Sequence, residues 1–375
     1  MKTPIFFCML ILLFQACTSQ LVHVEEGKQL LNPPAEPTEE GYFTDHFEIA
    51  EIIPIQTSEA FLVSDIKRVI RYQDKVILLS GKNNTVFVIN ADNGRIETHI
   101  HKIGKGPGEW RLILDIAFDE QSEQILIYND YSKLLTFDLQ GQFLSESNVD
   151  GLYENIHVYN EEVFFHNKLE GYSCYPYLID VLNRKDNTWR VIGRDEKIDF
   201  PIRVSGRQMV KSKQLWFTAP LDFNLFSYDK EQIRTPYELA IPDAGLDENL
   251  INKATSNPML FFGEVAKNNL IYSINSIRET SDYIVFHANQ GGLFTINKKE
   301  NEVHWDKSVE ELSLHMKLTY YPHDGDDDKI MFILPAEAYT QHAKSNPGSS
   351  DNSLDVKEYD NPILIFYKQK SIVAI

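Results

Sequence analysis

The chain has 375 residues, of which 43% are hydrophobic and 24% are charged, and its formal net charge at pH 7 is −19. A chain of this length can bury a large core without the help of disulfides. The excess of acidic side chains argues against nucleic acid and anionic lipid surfaces as partners, since both carry negative charge.

An export signal opens the sequence. Lys2 precedes an apolar run at 5–14, which is shorter than the roughly 20 residues that span a bilayer. Small Ala16 then precedes Cys17, an arrangement that resembles the bacterial lipobox, although Phe14 and Gln15 depart from its commonest form. The pattern predicts a signal peptide at 1–16 and a lipid on Cys17. The alternative is an ordinary secretory signal with an incidental cysteine.

A tether and one folded domain are predicted to follow. Residues 17–45 hold Pro33, Pro34 and Pro37 with little periodicity, so they are predicted to form a flexible, extended link between lipid and domain. Residues 46–375 form the domain. Its one cysteine, Cys174, has no partner for a disulfide, and no basic neighbour in sequence marks it as a nucleophile.

Repeats decide the predicted fold. Six times, a short β-rich run is followed by a polar turn and a second β-rich run, and the first runs start about 40 to 70 residues apart. The pairs are 76–79 with 86–90, 125–128 with 134–138, 163–165 with 177–181, 215–217 with 225–229, 283–286 with 293–297, and 330–334 with 363–367. This predicts an all-β, six-bladed β-propeller with four-stranded antiparallel blades.

The two ends of the chain are predicted to close the ring. The run 47–55 precedes the first repeat and has no blade of its own, so we expect it to join the strands at 330–334 and 363–367 in the last blade. Two insertions interrupt the repeats, at 243–268 and 335–361. Each contains a predicted helix, at 247–255 and 336–343 respectively.

Several segments resemble a known family. They read IGKGPGEW at 103–110, DIAFD at 115–119, IYND at 127–130, FDLQG at 137–141 and DNPILIFYK at 360–368. Together they resemble the six-bladed β-propeller lipoproteins of Gram-negative cell envelopes, with repeats similar in style to NHL-type propellers. The resemblance implies the fold and export, and it implies little about activity.

One face of the propeller is predicted to carry the binding residues. In a propeller, the connections between blades emerge on the same face as the turn between the second and third strands of each blade, and binding residues tend to lie in loops on a rigid scaffold. The residues that this places on one face are Lys105, Glu109, His166, Asp222, His287 and Asn289. The alternative is that these turns are polar only because water reaches them.

Signals for nucleotides, metals and catalysis are weak. Gly104, Gly106 and Gly108 lack the spacing and the following helix of a phosphate loop, so they are predicted to form a connection between blades. The acidic run 324–328 indicates a solvated hairpin turn rather than a calcium loop. His99 and His101 alternate on one face of a strand, but no third metal ligand follows.

Two functions from different classes stay open. We favour a lipid-anchored binding or scaffold protein, with no cofactor, that holds a glycan, peptide or protein on one loop face. The alternative is a metal-dependent, lactonase-like hydrolase or lyase with Ca²⁺ in the central channel, and three or four polar side chains converging there would favour it. We expect a monomeric domain at the outer membrane, facing the periplasm in preference to the cell surface.

Overall fold

A computed structural model describes residues 23–24, 27–38, 41–59, 61–171, 173–199, 206–229, 232–241, 246–311, 316–320, 322–325, 328–345 and 354–371. The predicted signal peptide and Cys17 lie outside these residues. The first elements in the chain are two short strands, a one-turn helix and a long strand: β1 (His23–Val24), β2 (Gln29–Leu31), α1 (Tyr42–His46) and β3 (Phe47–Pro54).

Six antiparallel sheets follow as blades around a central channel, which confirms the predicted six-bladed propeller. The strands of blades 1 to 3 are β4 (Ile66–Tyr72), β5 (Lys75–Ser80), β6 (Thr85–Asn90), β7 (Ile96–Ile100), β8 (Ile113–Asp119), β9 (Gln124–Asn129), β10 (Lys133–Asp138), β11 (Phe143–Asn148), β12 (Tyr153–Tyr159), β13 (Glu162–Glu170), β14 (Ser173–Asn183) and β15 (Thr188–Gly193).

The second half of the ring continues the pattern and adds three helices. Blade 4 consists of β16 (Met209–Lys211), β17 (Leu215–Phe217), β18 (Asn224–Asp229) and β19 (Gln232–Leu239), and α2 (Glu248–Ser256) and α3 (Pro258–Asn268) follow it. Blade 5 consists of β20 (Ile274–Glu279), β21 (Tyr283–Ala288), β22 (Leu293–Asn297) and β23 (Glu302–Asp306). Blade 6 consists of β24 (Val309–Glu311), β25 (Met316–Tyr320), β26 (Lys329–Leu334), β27 (Ile363–Gln369) and β3, with α4 (Ala336–Ser345) between β26 and β27. None of the helices in the described ranges is long and apolar enough to cross a membrane.

The strands are apolar on both faces because each blade packs between two others. In β5, Val76, Ile77, Leu78 and Leu79 are all fully buried. Successive side chains of a strand point to opposite faces. Accordingly, Ile77 and Leu79 pack against blade 2, while Val76 and Leu78 pack against blade 6. The continuous apolar runs of the sequence therefore follow from the radial packing.

The N-terminal strand closes the ring as predicted. β3 pairs antiparallel with β27, so that Ile363 lies opposite Pro54 and Gln369 lies opposite Phe47. β3 is thus the outermost strand of blade 6, and residues from both ends of the chain complete one sheet. Phe43 of α1 is fully buried in the core of the same blade.

Part of the segment predicted as a flexible tether packs on the propeller. β1 and β2 pair in parallel with β19, the outer strand of blade 4. Thr38 then forms a bridge to Asp306 of blade 5. Within the described part of 17–45, the chain therefore runs along the outside of two blades before it reaches β3.

Both predicted helices are present, and the first insertion contains another. Asp247 caps α2 by accepting a hydrogen bond from the N–H of Leu250 at 2.7 Å. α4 begins at Ala336, as the sequence predicts. The helix that was not predicted is α3, which has Asn257 as its N-cap and Pro258 in its first turn. Phe261 and Val265 attach it to the ring through a small apolar cluster.

Candidate functional site

The two faces of the propeller differ in what forms them. We number the strands of each blade A to D from the channel outward, so that β4, β8, β12, β16, β20 and β25 are the A strands. The loop face contains the B–C turns and the connections from one blade to the next. The opposite face contains the A–B and C–D turns. Both inserted segments, with α2, α3 and α4, belong to the loop face.

The connection between blades 1 and 2 is held by contacts within itself. Glu109 accepts a hydrogen bond from the N–H of Gly106 at 2.7 Å. A Cβ added at Gly104 would lie 1.9 Å from Oε2 of Glu109, so a larger residue there would displace the Glu109 carboxylate. Lys105 at the tip of this connection is exposed. Glu109 therefore shapes the loop, and Lys105 is its accessible charge.

The two predicted histidines lie away from solvent. His166 is fully buried, and its Nε2 donates to the carbonyl oxygen of Pro176 at 2.8 Å. His287 is partly buried, with its ring 5.3 Å from that of Tyr320. Burial lowers the pKa of each imidazole to about 4, so both rings are neutral at pH 7.

The two remaining predicted residues fasten turns on the loop face. Asp222 accepts hydrogen bonds from the hydroxyl of Tyr177 at 2.7 Å and from the backbone N–H of Asn224 at 2.9 Å. Asn289 accepts from the N–H of Tyr272 at 2.7 Å and donates to the carbonyl of Leu270 at 3.0 Å. Lys105, Glu109, Asp222 and Asn289 lie in turns or connections of the loop face, whereas His166 and His287 lie within strands β13 and β21. The six predicted residues do not form a single cluster.

The channel holds a charged network that the sequence analysis missed. Arg68 of β4 is fully buried, and its Nη2 donates to Oδ2 of Asp324 and, at 2.9 Å, to Nδ1 of His157. Nε2 of His157 lies 2.9 Å from the carbonyl oxygen of Met209, which can only accept, so Nε2 carries the proton. Burial and the neighbouring Arg68 lower the pKa of His157, so its imidazole is neutral.

A second ion pair lies on the loop-face side of this network. Asp115 of β8 accepts from both terminal nitrogens of Arg207, at 2.7 and 3.2 Å, and from the N–H of Ile156 at 2.9 Å. Burial raises the pKa of Asp115 to about 7, and the charge of Arg68, 3.8 Å away, acts in the opposite direction. The forked contact with Arg207 fixes both carboxylate oxygens.

Asp324 corrects the interpretation of the acidic run at 324–328. The sequence suggested a solvated turn, but Asp324 is only 5% exposed and faces Arg68 in the channel. Burial works against ionisation, but the charge of Arg68 holds the pKa of Asp324 far below its usual range. Arg278 of β20 lies close by and donates to the carbonyl oxygens of Lys211 and His323, both at 2.9 Å.

The channel donors do not fit a metal. Asp115 and Asp324 are the buried carboxylates here, and each is already held by an arginine. An ion between them would have to displace a guanidinium group. The described ranges contain no group of three His, Cys, Asp or Glu side chains placed to hold a metal ion. The polar side chains that converge in the channel are therefore paired with one another. We call this group the channel plug; it consists of Arg68, Asp115, His157, Arg207, Arg278 and Asp324.

The sequence carried a faint signal for this plug. The inner strands mix polar with apolar residues, and some of these polar side chains meet because all inner strands line the same channel. In isolation, one charged residue in a strand looks like a solvent-facing position. The residues that meet in the channel are Arg68, Asp115, His157, Arg278 and, just beyond β25, Asp324.

A cavity lies above the plug on the loop face. It has a volume of about 470 Å³. Its polar lining includes Lys67, Glu154, Asn155 and Arg207, and Asp115 lies at its base. Asn155 is 7% exposed, and its Oδ1 has no hydrogen-bond partner among the described residues. Aliphatic side chains form the rest of the wall, among them Leu112, Leu114, Leu152 and Leu169.

Exposed apolar side chains are concentrated on the loop face. They are Leu62, Ile103, Leu112, Tyr131, Leu152, Met259, Leu260, Phe262 and Tyr359. The other large exposed apolar side chains, Leu30, Leu144, Trp189 and Val191, lie on or beside outer strands. In the part of the chain that the structure describes, the turns of the opposite face have none. Contiguous exposed apolar side chains mark surfaces that contact other molecules, and of this set Leu112 and Leu152 meet at the cavity.

The fold is a six-bladed propeller whose channel is filled by paired charged side chains. The chain belongs to the family described as a domain of unknown function (DUF4934), whose profile matches residues 32–368. Among curated proteins, none matches this sequence.

Two crystal structures share the fold. A protein of Bacteroides fragilis that is described as exported has a TM-score of 0.71 at 16% identity, covering 92% of this chain and 100% of that chain. A member of the DUF4221 family from Bacteroides vulgatus has a TM-score of 0.52 at 12% identity, covering 86% of this chain and 97% of that chain. At these identities the similarity shows the fold alone.

Proposed function

We propose that this chain is a lipid-anchored envelope protein whose loop face binds a protein or peptide. The observation that carries the proposal is the concentration of exposed apolar side chains on that face. Among the glycan, peptide and protein partners expected from the sequence, aliphatic side chains such as Leu112, Leu152 and Met259 favour a protein or peptide surface. The internally paired channel supports binding over catalysis.

We expect the partner to contact the mouth of the channel. Leu112 and Leu152 stand at its rim, are more than a third exposed, and connect the cavity with the exposed surface around it. A photo-crosslinking amino acid placed at either position in living cells should give an adduct with one partner. The double variant Leu112→Asp/Leu152→Asp should lower partner affinity at least tenfold, since both charges would enter an apolar contact.

Leu144 supplies the matched control. It is 44% exposed, but it lies on the outer strand of blade 2. Crosslinking at Leu144 should give no adduct with that partner, and Leu144→Asp should leave the affinity unchanged. Equal adducts from Leu144 and Leu112 would contradict a specific binding role for the loop face.

The membrane anchor is the second part of the proposal. Its support is Cys17 after a short apolar run, together with the described export of the Bacteroides fragilis protein of the same fold. We propose an outer-membrane location with the domain facing the periplasm.

Cys17→Ala should move the protein from the membrane pellet to the soluble fraction and abolish labelling by a fatty-acid analogue, because no other residue would take the lipid. Cys174→Ala is the matched control. The Cys174 side chain is buried, and burial, followed by the charge of Glu154, raises the pKa of its thiol to about 12. The Cys174 thiol should therefore take no lipid, so the Cys174→Ala variant should keep its label and its place in the membrane pellet. A Cys17→Ala protein that stays in the membrane fraction and keeps the label would overturn the anchor.

A further inference from the structure

A second cavity on the loop face lies above blade 1, apart from the channel mouth. This blade 1 groove has a volume of about 580 Å³ and lies between the B–C turn of blade 1, strand β7 and the connections on either side of the blade. Its apolar wall consists of Phe61, Leu62, Phe87 and Ile103. The volume is within the range of about 300 to 1,000 Å³ typical of small-molecule sites.

The groove has an unusual charge for this protein. The chain has 55 acidic residues against 36 basic ones. The described lining of the groove nevertheless holds Lys82, His99, His101 and Arg111, and it includes no aspartate or glutamate. A locally basic, partly apolar concavity in an acidic protein attracts anions and repels cations.

Much of the basic character is available to a ligand. Lys82 lies in the B–C turn of blade 1, where its side chain is exposed to solvent beside the groove. Arg111 uses Nε to bind Asp130 at 2.7 Å, and its side chain is 75% exposed, which leaves its two terminal nitrogens to other partners. Two separate cations therefore face the same concavity.

The histidines have a defined arrangement. The hydroxyl of Thr85 donates to the carbonyl of Asn83 at 2.9 Å, so Nδ1 of His101, 2.9 Å from that hydroxyl, is the donor of the second bond. In the neutral ring, Nε2 of His101 is then a hydrogen-bond acceptor, so the positive charge of the groove comes from Lys82 and Arg111. The ring of His99 packs against Phe61, with centroids 4.7 Å apart, and joins the basic groups to the apolar wall.

We propose that the blade 1 groove binds a small organic anion, in which one acidic group contacts Lys82 and Arg111 and an apolar body packs against Phe61 and Ile103. The anion is either a free small molecule or an acidic side chain beside an apolar one on a bound peptide. The inference adds a ligand class to the proposed function and rests on it only in taking the loop face as the binding surface.

Binding can be measured by ligand-observed NMR on the lipid-free domain that begins after Cys17. The probes are phenylacetate, its neutral analogue phenylacetamide, inorganic sulfate, and a blocked peptide with adjacent Glu and Phe residues. We expect phenylacetate or the peptide to bind at least tenfold more tightly than phenylacetamide and sulfate. Phenylacetate alone would indicate a free small molecule, and the peptide alone would indicate a protein-borne ligand.

Matched double variants test the location. Lys82→Gln/Arg111→Gln should weaken binding at least tenfold with little change in melting temperature, because both side chains are exposed. Arg95→Gln/Lys185→Gln removes the same two charges from exposed turns of the opposite face and should leave binding unchanged. Equal loss in both variants, equal binding of phenylacetamide, sulfate binding alone, or no binding of any probe would overturn the inference.

The two proposals can fail separately. Leu112→Asp/Leu152→Asp alters the channel mouth and leaves the residues of the groove in place. Absence of partner crosslinking, or equal crosslinking at Leu144 and at the loop face, would reject the proposed function. If phenylacetate still binds normally, the inference about the groove stands. Normal crosslinking without anion binding would reject only the inference about the groove.

Discussion

Arg68→Met is expected to lower the free energy of unfolding by about 3 to 5 kcal/mol, because it leaves buried Asp324 without its guanidinium partner. Asp324 would keep one backbone donor, the N–H of Lys211 at 3.2 Å, whereas the neighbouring Nδ1 of His157 carries no proton. A single backbone donor cannot replace a full charge inside the channel. Chemical denaturation of the domain at pH 7 measures the loss.

A second substitution separates the uncompensated charge from lost packing. In Arg68→Met/Asp324→Asn, no carboxylate remains at position 324, so the double variant should be more stable than Arg68→Met alone. Such recovery is the signature of direct coupling in a double-mutant cycle. If the two losses simply add, Arg68 and Asp324 do not act as a pair.

An exposed ion pair gives the comparison for burial. Lys133 and Glu146 are 2.7 Å apart, and both side chains are 29% exposed. Because water screens this pair, Lys133→Met should cost no more than about 1 kcal/mol. A comparable loss for Lys133→Met and Arg68→Met would show that burial is not the source of the effect.

The fold was predictable because its signals are local and repeated. Runs such as Val76–Leu79 appear in every blade, and Asn93-Gly94 and Gln140-Gly141 mark the turns between outer strands. Closure was predictable as well, since 47–55 was β-rich and had no blade to join. α3 was missed because its apolar residues serve two surfaces: Phe261 and Val265 face the ring, while Met259 and Leu260 are exposed.

The candidate sites were harder to predict because they depend on contacts between distant blades. Arg68 and Asp324 are separated by 256 residues in the chain and meet only in the closed ring. The groove is similar: His99 and His101 form a visible pair in the sequence, but Lys82 and Arg111 join them only through two different loops. One sequence shows which residues are polar, and the ring determines which of them meet.

Buried neutral histidines are expected to make the domain sensitive to acid. The pKa of His166 and of His287 is lowered from 6.5 to about 4 by burial. Between pH 4 and pH 6.5 the unfolded chain binds more protons than the folded domain. The contribution of each histidine to the free energy of unfolding is therefore fully present above pH 6.5 and is lost as the pH falls toward 4. Each histidine should cost about 2 kcal/mol between pH 7 and pH 5.

Asp115 acts in the opposite direction. Its carboxyl has a pKa raised from 3.8 to about 7 by burial, so between these values the folded domain binds the additional proton and gains stability as the pH falls. The total pH dependence therefore mixes opposing contributions. The difference between the wild-type protein and a histidine variant isolates one group, because Asp115 is the same in both.

The measurement compares unfolding free energies at pH 7 and pH 5 for the wild type, His166→Gln, His287→Gln and the double variant. Glutamine cannot take up a proton, so each single variant should remove about 2 kcal/mol of the acid-induced loss, and the double variant about 4 kcal/mol. His166→Gln can keep a donor for the carbonyl of Pro176, which limits its cost at pH 7. If the variants and the wild type lose the same stability between the two pH values, these histidines bind a proton at the same pH in the folded domain as in the unfolded chain, and burial does not lower their pKa.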